Sequence, residues 1–479
     1  METIRIINFI ITAIFAVCYS YQFIYVPVSL WHQHREKRAA KKQSGAKAGT
    51  ASSPSESSAA HSAEKTAAQA GTHSDSLSAA SASQACLRSA SKEPCARDLK
   101  RYAVLICARN EEAVIGDLID SISSQSYKGS VTTFVMADNC TDNTYGTAIA
   151  HGAVAYKRYS KEFIGKGYAM EALLKEIKND FPLGFDGYFV FDADNILAPD
   201  YIDEMHKCHL EGNEVITSYR NSKNYGDNWI SSGYGLWFLR ESMYLNYARS
   251  RLNSSAAISG TGFFFSDNVL KDIGGWPFHL LTEDIEFTIN RVCKGRRIAF
   301  CRSAVFYDEQ PVSLRQSFTQ RMRWARGYIQ VFKHYGRDLM YGIMHGSFAA
   351  FDMAMNIMPA FLLTAISITC NLLYGIIGAV TGGDITIALW SMFETVFNAC
   401  ALLFILGGIT LITEWKNIHA GTARKIFSVF SFPFFMLTYI PVAFTALFVN
   451  PGWKPIRHKA TTTALLTELS HTKTSEKIS

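Results

Sequence analysis

The chain has 479 residues, room for one large domain or two together with membrane segments. Lys and Arg number 47 against 41 Asp and Glu, a formal net charge of +6. The basic residues form no patch with interleaved aromatics, so the composition argues against a nucleic-acid binder. Ten cysteines lie scattered, with no C-x-x-C pair and no zinc-type His spacing, and read as reduced residues of a cytosol-facing protein.

Ile6 to Trp31 lacks charge and is long enough for one span, since a bilayer takes about 20 apolar residues per helix. His32, His34, Arg35, Lys37, Arg38, Lys41 and Lys42 follow it where a signal peptide would carry a small-residue cleavage site. Residues 1–31 are therefore expected to form a membrane anchor whose N-terminus lies outside, because flanking cations stay in the cytoplasm. Between Glu36 and Lys100 the large aliphatic or aromatic residues are Leu77, Leu87 and Leu99 alone. Residues 32–99, rich in Ala, Ser and Lys, are expected to be a disordered tether.

From Arg101 the pattern changes. Y-A-V-L-I-C-A (102–108) reads as a buried strand, followed by R-N-E-E and an amphipathic helix over about 113–125. V-T-T-F-V-M-A (131–137) repeats the strand, D-N-C-T-D-N-T opens a helix, and G-K-G-Y (165–168) turns into another. G-Y-F-V-F-D-A-D-N (187–195) is the next strand. Alternating strands and helices predict an α/β domain with a parallel sheet, whose ligands lie beyond the C-terminal strand ends, where Asn110, Asp138 and Asp192 fall.

Asp192 and Asp194, at i and i+2 on leaving a strand, are expected to converge. A lone D-x-D is weak, because acids at strand ends often cap the next helix. Here an apolar strand precedes the pair and Asn195 follows it, a setting for Mg²⁺ or Mn²⁺ shared with substrate phosphates. I-S-G-T-G-F-F-F (258–265) offers backbone with little bulk at Gly260 and Thr261. T-E-D-I-E-F (282–287) reads first as a helix start, with Thr282 as cap and Glu283 and Asp284 favoured by the dipole. The same acids could serve as a general base. Lys166 stands between a solvated lysine and a phosphate contact.

In S-F-T-Q-R-M-R-W-A-R-G-Y (317–328), Gln320, Arg323, Trp324 and Gly327 share one helical stripe, while Arg321 and Arg326 point elsewhere. Three further uncharged stretches follow, at Met353–Gly383, Thr395–Thr413 and Ile426–Trp453. Lys416, Arg424 and Lys425 mark the loop before the last as cytoplasmic, and Lys454, Arg457, His458 and Lys459 mark its far end likewise. Pro433 and Pro441 interrupt it, so a re-entrant or interfacial hairpin is physically allowed there, with a further membrane-associated segment around Tyr341 to Asp352 as the alternative.

Taken in order, F-D-A-D-N, L-T-E-D and Q-R-M-R-W resemble the D-x-D, T-E-D and Q-x-x-R-W of family 2 glycosyltransferases, specifically the membrane synthases of cellulose, chitin, hyaluronan and poly-N-acetylglucosamine. The resemblance implies a GT-A (Rossmann-like) cytosolic domain over 100–336, transmembrane and interfacial helices over 337–450 and a cytoplasmic tail over 451–479. It implies a UDP-sugar donor, a divalent cation and inversion at the anomeric carbon. Asn110, Glu111, Asp138, Lys166, Asp192 and Arg323 would then bind nucleotide and donor, with Asp194 and Asp192 on the metal. Asp284, with Glu283 beside it, would be the base, and Gly260, Thr261, Gln320 and Trp324 would meet the acceptor.

One departure stands at the second strand, where Ala137 and Cys140 replace the usual acid and serine of D-D-G-S. Trp453 and Arg457 resemble a gating element that closes over the donor. The reading is a processive synthase in a bacterial plasma membrane, contacting membrane lipids through several spans and extruding a β-linked polysaccharide. A membrane enzyme adding one sugar to a lipid is the alternative, and an inactive nucleotide-sugar sensor a third.

Overall fold

Eight strands form one sheet in the order β3-β2-β1-β4-β7-β6-β8-β5 in a computed structural model that describes residues 20–50, 98–357, 360–380 and 386–452 and scattered positions before residue 20. The strands are β1 (Arg101–Ala108), β2 (Ser130–Asp138), β3 (Val154–Arg158), β4 (Gly187–Phe191), β5 (Ile196–Leu197), β6 (Val215–Ser222), β7 (Phe263–Ser266) and β8 (Ala299–Asp308). Strands β3, β2, β1 and β4 run parallel, as the alternation of strand and helix predicts. The sheet is nonetheless mixed: β7 lies antiparallel to both β4 and β6, and β5 antiparallel to β8. No helix connects β4 to β5, so β4 returns to the sheet edge through a turn rather than a crossover.

Strand β1 is central and buried on both faces, which is why its sequence runs apolar without alternation. The helices that cover the sheet show the complementary period. Helix α2 (Ile115–Ser123) buries Ile115, Leu118, Ile119 and Ile122, and α4 (Lys166–Asp180) buries Ala169, Met170, Leu173, Leu174 and Ile177. Between them lies α3 (Thr144–Ala150). Helix α1, before the sheet, spans Tyr25–Thr50.

Two compact units divide the chain, residues 1–29 with 100–479, and residues 30–99. In the second, residues 32–50 are helical where a structureless tether was expected; Ala and Lys are strong helix formers and need no apolar stripe to continue a helix already begun. The rest of the expected tether, 51–97, lies outside the described residues, as does most of the expected anchor before residue 20.

In the first unit α5 (Tyr201–Leu210) leads to β6. Helix α6 (Trp229–Arg240) opens with a capping box at Asn228 and Ser231 and passes through a π-helical turn, Glu241–Asn246, into α7 (Tyr247–Arg251). Helix α8 (Asp267–Ile273) follows β7, and α9 (Glu283–Cys293) precedes β8. Helix α10 (Leu314–Met344) then runs 31 residues, across the expected domain boundary at 336.

After α10 come α11 (Phe348–Ile357), α12 (Ala360–Val380), α13 (Thr386–Thr413), α14 (Thr422–Leu437) and α15 (Tyr439–Phe448). Among the described residues two helical segments are long and apolar enough to cross a membrane, Met392–Thr413 and Thr422–Phe448. The latter corrects the hairpin reading: Pro433 sits inside α14, and Thr438, in helical conformation, joins α14 to α15 without reversing the chain. Pro433 forfeits one backbone hydrogen bond, a kink rather than a turn-back.

Where the sheet domain meets α11, Arg249 and Asp352 are both fully buried and paired at 2.7 Å. Tyr21 and Tyr25, from the start of the described chain, donate their hydroxyls to the same carboxylate at 2.6 and 2.9 Å. Four donors on one carboxylate satisfy a charge that would otherwise be costly to bury.

Candidate active site

The strand order 3-2-1-4 changes direction between β1 and β4, and in open α/β sheets ligands bind beyond the C-terminal strand ends at such a point. Asn110 sits there in the left-handed region at φ 59, and its side-chain oxygen accepts from the Thr141 N–H at 2.7 Å. Glu111 donates its backbone N–H to Thr144 Oγ1 at 2.9 Å. These two residues tie the β1 turn to the β2 turn. Asp138, at the end of β2, is buried and takes Arg158 Nη1 at 2.5 Å. Burial pushes its carboxyl upward, and Arg158 opposes that.

Strand β4 ends at Phe191, so Asp192 and Asp194 sit on a turn, and the strand rule that would aim them together does not apply. Asp192 is partly open and holds Lys166 Nζ at 2.5 Å. Asp194 is buried, with Asn195 Nδ2 at 3.3 Å. Asn195 is fully buried and serves four neighbours. Its oxygen accepts from the Asp192 N–H at 3.2 Å and from Thr261 Oγ1 at 2.5 Å, and its nitrogen donates to Asp308 Oδ1 at 2.8 Å as well as to Asp194. Beneath it, Asp308 accepts from Arg220 Nε at 3.0 Å and Gln310 Nε2 at 2.7 Å. Arg158, Arg220 and Asp308 were not foreseen, because nothing local marks them; Asn195 was signalled by its place directly after D-x-D.

Gly260 is the hinge of the arrangement. Its φ of +82 suits glycine alone, its carbonyl accepts Lys166 Nζ at 2.7 Å, and its N–H donates to Asp284 Oδ2 at 2.6 Å. The backbone of one residue thus links the donor-side lysine to the T-E-D acid. Lys166 also lies 4.0 Å from Glu283. Burial works against the lysine's charge, but Asp192 and Glu283 outweigh it and raise its pKa, so Lys166 is a partly buried, ion-paired cation. Burial and the neighbouring Asp284 push Glu283 up to about 7, with Lys166 pulling against them. Asp284 is likewise raised by burial and held back by Lys166. This is where a base poised near neutrality belongs.

Thr282 stands at the N-cap of α9 with Glu283 and Asp284 in the first turn, as the helix-start reading expects, but its side chain makes no capping hydrogen bond. It packs instead on Gly327, where a Cβ would lie 2.5 Å from the threonine Cγ2 and Oγ1. That contact explains the glycine in the 320/323/324/327 stripe: α10 can approach the T-E-D segment only where a side chain is missing. Trp324, partly buried, lies edge-on to Tyr234 and Phe238 at 6.0 and 6.2 Å. Gln320 Oε1 and Arg323 Nε are buried without a hydrogen-bond partner among the described residues. Trp453 and Arg457 lie outside the described residues.

No group of three His, Cys, Asp or Glu side chains able to hold a metal occurs among the described residues. Two carboxylates with phosphate oxygens completing the shell is nevertheless the usual arrangement for Mg²⁺, so the Asp192 and Asp194 donor set fits a cation that arrives with its substrate.

Residues 100–327 match the family model described as "Glycosyltransferase like family 2". The domain belongs to this glycosyltransferase family. A β-monoglucosyldiacylglycerol synthase of Nostoc sp. is 25% identical over 359 residues, covering 68% of this chain and 73% of its own. A poly-β-1,6-N-acetyl-D-glucosamine synthase of Staphylococcus aureus is 24% identical over 248 residues, 48% of this chain and 55% of its own. A mannosyltransferase from Pyrobaculum calidifontis, solved with GDP-Man and Mn²⁺, overlaps 73% of this chain and 88% of its own at a TM-score of 0.44 and 15% identity. With its eight-stranded mixed sheet and acids at the crevice, the glycosyltransferase domain is GT-A-like.

Proposed function

We propose that this glycosyltransferase moves a hexose from a UDP-sugar to an acceptor hydroxyl with inversion, and that Asp284 is its base. The observation that carries the reading is the Gly260 backbone, whose carbonyl accepts from Lys166 and whose N–H donates to Asp284. On this reading Lys166, Asp138 and Arg323 bind the nucleotide and diphosphate, while Asn110 and Glu111 shape the crevice wall. Asp284 removes the acceptor proton, the acceptor oxygen bonds to the anomeric carbon, and the bond from that carbon to the diphosphate breaks, so that UDP leaves with its electron pair. Asp192 and Asp194 would hold Mg²⁺ or Mn²⁺, which supplies charge compensation for the leaving diphosphate when bound. Gln320, with Arg323 beside it, offers buried polar atoms to sugar hydroxyls or phosphate, and Trp324 an apolar wall.

The acceptor in this proposal is a growing β-linked polysaccharide at a multi-pass plasma-membrane enzyme with its domain in the cytoplasm. Trp453 and Arg457 close over the donor. A lipid acceptor is the second reading, favoured by the Nostoc relative, whose match extends over 68% of this chain against 48% for the polysaccharide synthase. Incubating the purified protein in lipid with radiolabelled UDP-sugars separates them. A ladder on a gel supports elongation, a single chloroform-soluble product supports the lipid acceptor, and neither product with any UDP-sugar tested overturns both.

A further inference from the structure

Asp284 accepts its hydrogen bond from the N–H of a glycine, the residue least able to fix its own backbone. Something else must aim that N–H. The Ser259–Gly260 peptide is planar and trans, so its carbonyl and its N–H point in opposite directions. Whatever holds the carbonyl therefore sets the direction of the donor. Arg220 Nη1 donates to the Ser259 carbonyl at 2.9 Å, on the side of the peptide away from Asp284.

The same guanidinium has a second task. Its Nε donates to Asp308 Oδ2 at 3.0 Å, and its Nη2 meets that oxygen too. Asp308 in turn accepts from Asn195 Nδ2 at 2.8 Å, and Asn195 Oδ1 accepts from the Asp192 N–H at 3.2 Å. A continuous run of hydrogen bonds thus joins the D-x-D turn to the T-E-D acid. It passes through Asn195, Asp308, Arg220 and the 259–260 peptide. Asn195 and Asp308 are buried, and only 13% of the Arg220 side chain is exposed, so water competes little for these links.

Arg220 is itself held in place. Its backbone N–H donates to Ser242 Oγ at 3.2 Å, and its guanidinium lies 3.5 Å over the Phe238 ring. Phe238 belongs to α6 and Ser242 to the π-helical turn that follows it. Glu241, in the same turn, accepts from Ser259 Oγ, so the serine is gripped by hydroxyl and carbonyl together. On the other flank of Gly260, Thr261 Oγ1 accepts from the Asp192 N–H at 2.9 Å. A buried arginine–aspartate pair alone would be scaffold, and such pairs are weak evidence even for stability. This arginine turns a further donor onto an active-site carbonyl, which pairing with Asp308 does not require.

We infer that Arg220 is a positioning residue that aims the Gly260 N–H at Asp284 and ties that acid to the turn bearing Asp192 and Asp194. The inference rests on Asp284 being the base. A cationic donor on the carbonyl polarises the peptide and strengthens the bond made by its N–H. Losing it should impair transfer and spare the nucleotide, because the link from Asp308 to Asn195 does not pass through the peptide.

Arg220→Lys is the probe. Lysine keeps the charge that faces Asp308, Glu241 and Asp192, but it lacks the fixed fork that serves Asp308 and Ser259 together. With the UDP-sugar that the native protein uses fastest, kcat for UDP release should fall about 10- to 100-fold, the scale of a small misplacement at a reacting group. Calorimetric binding of UDP in Mn²⁺ should change less than about twofold, since the Asn195 link survives. In the Asp284→Asn background the same substitution should lower residual turnover less than about twofold, because the residue it acts through is gone. If thermal unfolding shows that Arg220→Lys does not fold, Arg220→Gln with Asp308→Asn removes both charges together and carries the same comparison. An equal loss in both backgrounds, or weakened UDP binding that accounts for the loss, overturns the inference. Normal turnover of Asp284→Asn alone is a different failure: it removes the base assignment, and the inference falls with it.

Discussion

Arg321 and Arg323 stand two residues apart on α10 and occupy opposite kinds of place. Arg321 is 1% exposed and sits over the rings of Phe435 and Tyr439 at 4.7 and 4.9 Å, with carbonyls of Ser317 and Phe435 as acceptors. Arg323 faces the T-E-D acids, close enough to Glu283 to lower its pKa, and its Nε is buried without a partner among the described residues. One arginine is satisfied by the fold, and the other keeps the buried donor that the proposed donor-binding role would use. Two positions along a helix turn the side chain by about 200°, enough to separate scaffold from chemistry within a single motif.

That contrast can be broken most sharply on the chemical face. Asp284→Asn should lower transfer about 10²–10⁴-fold while UDP binding persists, the usual range for a lost general base. Its stability should not fall. A carboxyl whose folded pKa is raised loses stabilisation as pH climbs through that pKa, so at neutral pH the neutral amide is no worse. Near-normal turnover would move the base to Glu283.

The scaffold face predicts the reverse. Arg321→Met should cost about 1.5–3 kcal/mol per charged hydrogen bond lost and lower the melting temperature, yet leave the donor KM of the surviving fold nearly unchanged. Arg323→Met should raise the donor KM with little thermal effect. If both variants behave alike, the two faces are not distinct.

Gly327→Ala should destabilise by about 1–3 kcal/mol through the Thr282 contact, and Thr282→Ser should recover part of the loss by removing Cγ2. A smaller change is expected in pH dependence. Activity should rise with pH along a limb above the usual carboxylate range, because burial raises the Asp284 carboxyl and it must ionise to act as the base. Glu283→Gln removes a negative neighbour and should move that limb to lower pH, as a pH–rate profile would show.

How far the sequence revealed this molecule can be judged residue by residue. The parallel half of the sheet was legible, because β1 and β4 are buried on both faces and their apolar runs say so. Strand β7 was not, since F-F-F carries no mark of direction; only its hydrogen bonds to β4 and β6 do. The stripe on α10 was legible because helical spacing is arithmetic, and so was the divergence of Arg321. Its glycine made sense only once Thr282, 45 residues earlier by number, was seen against it. Asp192 and Asp194 were found by motif, but their converging aim was wrongly derived from strand geometry that ends one residue too soon.

The buried carboxylate of Asp352 carries one more consequence, in time rather than space. Its partners Tyr21 and Tyr25 precede it by 331 and 327 positions, so a ribosome delivers the tyrosines long before their acceptor exists. At about 5–20 residues per second the interval is roughly 15–65 s. Arg249 arrives in between and must wait as well, a guanidinium destined for burial with no counter-ion yet made. The knot can be tied only after the whole glycosyltransferase domain has been synthesised, and a nascent chain stalled before residue 352 should leave its first helix undocked.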